Sequence, residues 1–120
     1  MRLGYVNVNV SDFDRAVAFY RDVLALPLNF ADEKFGYASF DTGQAQLAVI
    51  KTEEQVELIG RHTGIGLMVD DVDAAHKDLL GRGVSFTMQP SKQPWGGYMA
   101  MFQDPDGNIF YLDQPMQEQP

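Results

Sequence analysis

The chain has 120 residues, 45% of them hydrophobic and 22% charged, a size and balance suited to one folded domain. No run approaches the roughly 18–20 apolar residues that a membrane span needs, so no membrane association is expected. With no cysteine, disulfides and thiolate chemistry are both excluded, and a net charge of −8 opposes binding to nucleic acid while favouring solubility or a cationic small molecule.

Met1 to Tyr5 leads directly into a strand-like pattern without the apolar core and small-residue cleavage site of a secretory signal, so a cytoplasmic location is expected. From Leu3 to Val10 the residues alternate, with Val6, Val8 and Val10 on one face and Tyr5, Asn7 and Asn9 on the other. Ser11 reads as a helix N-cap, with Asp14 three positions later in a box-like arrangement. Phe13, Ala16, Val17, Tyr20, Val23 and Leu24 then recur at helical spacing, while Asp14, Arg15, Arg21 and Asp22 lie largely off that stripe. Pro27 marks the exit, and strand-like runs follow at Leu28 to Ala31, Phe35 to Asp41 and Ala45 to Lys51, the last two separated by Thr42-Gly43. Residues 52–63 are polar and read as a linker or short irregular helix.

The pattern then restarts. Ile65, Leu67 and Val69 form a strand face, Asp70 or Asp71 caps a helix with the stripe Val72, Ala75, Leu79 and Leu80, and Gly81 and Gly83 end it. Strands are expected at Val84 to Met88, Gly97 to Gln103 and Asn108 to Asp113, before a polar tail over 114–120 that should fray. The order is β-α-β-β-β twice, an α+β arrangement with a first unit over 1–51, a linker over 52–63 and a second unit over 64–113. A direct echo supports the repeat: Val8, Val10, Asp12, Asp14 and Ala16 reappear at the same spacing as Leu67, Val69, Asp71, Asp73 and Ala75. Each unit is too small to bury both faces of its sheet by itself, so the face its helix leaves open is expected to meet a partner unit, from the same chain or another.

The opening from Val6 through Ser11-Asp12 to Phe19-Tyr20-Arg21-Asp22-Val23-Leu24 resembles the vicinal oxygen chelate superfamily, which includes glyoxalase I, bleomycin-resistance proteins and extradiol dioxygenases. Val69-Asp70-Asp71-Val72-Asp73-Ala74-Ala75 and the turn Asp104-Pro105-Asp106-Gly107-Asn108 carry the resemblance through the second half. It implies two βαβββ modules whose curled mixed sheets surround a cleft, and commonly a homodimer. Metal-dependent members hold their ion from four strand positions, which fall here on Tyr5, Ala48, Gly64 and Tyr111 in place of histidine, glutamate, histidine and glutamate. Ala48 and Gly64 have no donor atom, and phenols with pKa near about 10 seldom lose a proton to a divalent ion. His62, in the linker, and His76, in the second helix, read as solvated surface residues. No metal and no cofactor are therefore expected, and the resemblance is nearest to the metal-free, bleomycin-resistance type of binding protein.

Strand parity places Tyr5, Asn7, Asn9, Tyr37, Ser39, Gln46, Ala48, Met68, Met99, Met101 and Tyr111 towards the implied cleft, with Trp95 in a loop at its mouth. Aromatic rings and adaptable thioethers suit flat organic ligands, and Asn7 and Asn9 offer hydrogen bonds. The ligand-binding set expected is Tyr5, Asn7, Asn9, Tyr37, Met68, Trp95, Met99, Met101 and Tyr111, sequestering an aromatic or cationic drug-like molecule without turnover. Two alternatives stay open. One is a lyase or isomerase acting on a small carbonyl compound, with Tyr5, Tyr111 or Asp113 as acid or base; the other is an interaction module that has lost its ligand.

Overall fold

The protein is described by a computed structural model over residues 1–116. It divides into two compact units, one formed by Met1–Arg61 together with Pro105–Asn108, the other by His62–Asp104 together with the residues from Ile109 onward.

The first unit contains β1 (Tyr5–Val10), α1 (Phe13–Ala18), β2 (Leu28–Asp32), β3 (Tyr37–Asp41) and β4 (Gln46–Lys51). The sheet order is β1-β4-β3-β2, with β1 parallel to β4 and the other pairs antiparallel. The second contains β5 (His62–Met68), α2 (Val72–Gly81), β6 (Ser85–Lys92), β7 (Tyr98–Gln103) and β8 (Ile109–Asp113), ordered β5-β8-β7-β6 with β5 parallel to β8. The α+β class and the two tandem βαβββ modules are as the sequence pattern predicts.

Alternation decides which side of each strand enters the core. In the first unit Val8, Val10, Phe40, Leu47 and Val49 are buried with Phe13, Ala16 and Val17 of α1. The helix begins one residue later than the sequence suggests. Asp12, not Ser11, is the N-cap, its Oδ1 accepting the Arg15 N–H at 3.1 Å. Ser11 is taken by another partner: its N–H donates to Asp106 Oδ2 at 3.0 Å and its hydroxyl donates to Asp106 Oδ1. A wider π-helical turn, Phe19–Val23, continues α1, and the Leu24 N–H reaches back to the Phe19 carbonyl at 3.0 Å. Phe19 and Tyr20, the first residues of this turn, are both buried, although the apolar stripe read from the sequence contains only Tyr20.

The second core is built on rings. Phe102 stacks on Phe110 at 5.5 Å and lies 6.0 Å from Phe86, beneath Val72 and Leu79 of α2. His76 is not a solvated residue as its sequence context suggests. Its ring meets Phe86 edge-on at 4.5 Å, and its Nε2 is buried without a hydrogen-bond partner among the described residues.

Other departures from the expected bounds have local causes. Phe35 lies in a turn, because Asp32 Oδ1 accepts the Lys34 and Phe35 N–H groups and ends β2 there. Strand β6 runs on past Met88 to Lys92 through two register shifts. It tolerates Pro90 because it is an outer strand, with no ladder needed on its far side. His62 is the first residue of β5, paired with Ile109, and not part of the connection. Gln114 to Met116 follow β8 in irregular structure, and the rest of the expected tail lies outside the described residues.

Candidate functional site

Each sheet has a face turned away from its helix stripe, and the residues singled out from the sequence collect on these two open faces. On the first, the ladder sets Tyr5, Asn7 and Asn9 of β1 beside Gln46, Ala48 and Ile50 of β4, which pair in turn with Asp41, Ser39 and Tyr37 of β3. Residues directly opposite in a ladder point the same way, so Tyr5, Asn7, Asn9, Tyr37, Ser39, Gln46 and Ala48 share one surface. The Tyr37 hydroxyl donates to Asn7 Oδ1 at 3.4 Å, and Thr52 donates to Asn9 Oδ1 at 2.8 Å. Both asparagines are thereby oriented with Nδ2 free of partners among the described residues. Ser39 donates to Gln46 Oε1, and Phe30 stacks on Tyr37 at 5.8 Å. Tyr5 remains 61% exposed, which makes it an available flat surface.

At the Asn9 end of this face lies a groove of about 510 Å³, bounded by Glu33, Lys34 and Phe35 on one side and by Lys51 to Gln55 on the other. Phe35 is exposed there, with the Lys34 ammonium 5.7 Å from its ring centre. The sequence reading placed Phe35 in a strand and missed this groove. The available signal was the Asp32-to-Gly36 turn, in which Gly36 adopts φ +64 and so closes a tight reversal.

On the second open face Tyr111 pairs with Gly66 and Met101, while Asp113 pairs with Met68 and Met99. Met68 is exposed and Met99 buried, so the thioethers offer one accessible group and one that supports it. Trp95 is exposed in the turn between β6 and β7, which closes through Gln93 N–H to the Gly97 carbonyl at 2.8 Å. A side chain at Gly97 would meet the indole, since a Cβ there would lie 2.7 Å from Trp95 Nε1. Of the residues expected to bind ligand, Tyr5, Asn7, Asn9 and Tyr37 thus gather in the first unit, and Met68, Met99, Met101 and Tyr111 in the second.

His62 was missed. It stands at the start of β5 with its ring 4.7 Å from that of Tyr111. Two residues on, Gly64 adopts φ +72, and the β5–β8 ladder loses register between His62 and Gly66. The bulge is closed by side chains: His62 Nδ1 accepts the Gly64 N–H at 3.0 Å, while Thr63 Oγ1 donates to the Ile109 carbonyl at 2.7 Å and accepts the Ile65 N–H at 3.1 Å.

The four positions that the resemblance assigns to an ion do not fit one. Tyr5 and Ala48 stand on the first open face, Gly64 sits in the bulge and Tyr111 beside it, and together they provide neither imidazole nor carboxylate. Among the described residues no three His, Cys, Asp or Glu side chains gather as a potential ion site. No described helix is long and apolar enough to cross a membrane.

The chain is 30% identical to the uncharacterized protein YraH of Bacillus subtilis (strain 168), across 93% of this chain and 97% of that one. It is similar in structure to a member of the glyoxalase/bleomycin resistance protein/dioxygenase superfamily from Sphaerobacter thermophilus DSM 20745, with TM-score 0.85, 32% identity and coverage of 96% and 98% of the two chains. It is also similar to TnmS3, an antibiotic binding protein from Streptomyces sp. CB03234, with TM-score 0.78, 32% identity and 96% of each chain covered. With its paired βαβββ units and a family model matching residues 2–112, the chain belongs to the Glyoxalase/Bleomycin resistance protein/Dioxygenase superfamily.

Proposed function

We propose that this protein binds an aromatic, drug-like small molecule reversibly on its open sheet faces, without metal and without turnover, as a homodimer. The observation that carries the reading is the exchange of ion donors for phenols and small residues at Tyr5, Ala48, Gly64 and Tyr111, on faces that also present Tyr37, Phe30, Met68 and Met101. Rings give large contact area at little entropic cost, and thioethers adapt to irregular shapes. The likeness to an antibiotic binding protein supports the same reading. The net charge of −8 adds a field that favours a cationic group on the ligand.

Equilibrium dialysis against a panel of neutral and cationic aromatics tests it. The expected result is saturable binding, unaffected by a chelator, with the ligand recovered unchanged by mass spectrometry; light scattering should give the mass of two chains. A transition metal found at full occupancy in the purified protein would overturn the metal-free reading. Turnover that survives chelator and is lost in Tyr111→Phe would establish a lyase or isomerase instead.

A further inference from the structure

The bulge at the start of β5 has chemistry of its own. Because Nδ1 of His62 accepts the Gly64 N–H, the neutral imidazole must carry its proton on Nε2. Coordination of an ion through Nε2 would require the proton to move to Nδ1, where it would face another donor. Metal-binding histidines do the reverse, directing the second nitrogen at an acceptor. The same backbone that vacates the ion position at Gly64 thus turns the neighbouring histidine into a hydrogen-bond donor.

We propose that His62 is a ligand-binding residue whose Nε2–H donates to an acceptor oxygen, a carbonyl or phenolic oxygen, on an aromatic ligand. Three features position it. The Gly64 N–H sets the tautomer, the Tyr111 ring at 4.7 Å holds the plane of the imidazole, and pairing with Ile109 anchors its backbone. His62 is exposed, so its donor is open to a ligand arriving on the second open face. Gly64 is needed for this: at φ +72 any L side chain is strained, so the bulge, and with it the N–H that faces His62, depends on glycine. The inference rests on the binding reading above and narrows it to ligands that pair a flat apolar body with an oxygen acceptor.

The test uses three naphthalenes of similar size: 2-acetylnaphthalene, which has the acceptor, 2-ethylnaphthalene, which lacks it, and 2-naphthylmethylammonium, which is cationic. By equilibrium dialysis the ketone should bind about three- to tenfold more tightly than the hydrocarbon, the value of one net hydrogen bond. In His62→Phe, which keeps a ring against Tyr111, that preference should vanish. In His62→Gln, whose amide can accept from Gly64 and still donate outward, part of it should return. Equal affinity for ketone and hydrocarbon in the unaltered protein overturns the proposal while leaving aromatic binding intact. Failure of all three to bind overturns both. A ligand-free measurement stands apart from affinity and from the folding of any variant: long-range ¹H–¹⁵N spectra should show His62 as the Nε2-protonated tautomer, and an Nδ1-protonated or evenly mixed ring overturns the proposal.

Discussion

In the first unit the open face is a hydrogen-bonded surface, where Tyr37 holds Asn7, Thr52 holds Asn9 and Ser39 holds Gln46. In the second the same strand order presents Met68, Met99 and Met101 beside Tyr111 and Asp113, and the side-chain hydrogen bonds of its first strand gather in one bulge at His62. The helices differ in the opposite sense. The first leaves through a π-helical turn and an alanine in the left-handed region, Ala25 at φ +59, while the second is regular and closes at Gly83, φ +88. A duplicated frame therefore constrains the strand order and the helix-facing residues, because these make the core. It leaves the exposed positions of the open faces, such as Tyr5 and Met68, and the helix exits free to diverge, since a change there disturbs few packed neighbours.

The comparison is tested hardest in the cores. Phe102 is fully buried between two rings, and Phe102→Ala should cost about 3–5 kcal/mol in chemical denaturation. Phe40, equally buried but in ring contact with Tyr20, should lose roughly 1 kcal/mol less on the same change, since fewer aromatic pairs are broken. Equal losses would show that ring stacking does not distinguish the two cores.

Asn108 is next. Buried in the first unit, it accepts the Gly60 N–H at 2.9 Å and donates to the Asn9 carbonyl at 2.9 Å. Asn108→Ala leaves both without their partner and should cost about 2–3 kcal/mol by the same measurement. A loss below about 0.5 kcal/mol would mean that water replaces the amide readily and that the turn at 105–108 is not secured by it.

The helix exits should respond with opposite signs. Ala25→Gly relieves a left-handed alanine and should stabilise by about 1 kcal/mol, whereas Gly83→Ala imposes the same strain and should destabilise by a similar amount. Changes of the same sign in thermal melts would remove this contrast between the units.

The smallest effect expected is electrostatic. The Tyr98 hydroxyl donates to Asp73 Oδ1 at 2.5 Å, joining β7 to α2, and this bond holds the phenol pKa above its ordinary value of 10.0. The protonated phenol is the form the fold favours. Its contribution is therefore complete below the ordinary phenol range and is lost as pH rises through the raised value. Alkaline absorbance titration should show a late-ionising component that disappears in Tyr98→Phe; an unchanged titration would separate Tyr98 from Asp73 in solution.

Much of this was legible in the residue order. Alternation in Val6 to Val10 and Ile65 to Val69, helical stripes after Asp12 and Asp71, and the echo between the halves were enough for two βαβββ modules, because periodicity records which side of an element must leave water. The same parity assigned Met99 and Met101 to the face of Tyr111, and the ladder places them there. Residues whose partners are distant in sequence were not legible. Ser11 lost its capping role to Asp12 because Asp106 claims it, and His76 turned inward on Phe86.

By itself, then, the sequence determined the secondary elements, their duplication and the chemical character of each face, all of which depend on neighbours a few positions apart. Only the tertiary structure decided where regular geometry is broken: the π-helical turn that opens with the buried pair Phe19 and Tyr20, the groove beside Phe35, and the bulge that turns the Gly64 N–H towards His62. Such breaks arise where backbone groups leave the regular ladder and bond elsewhere, and that exchange is settled by which groups the folded chain brings within reach.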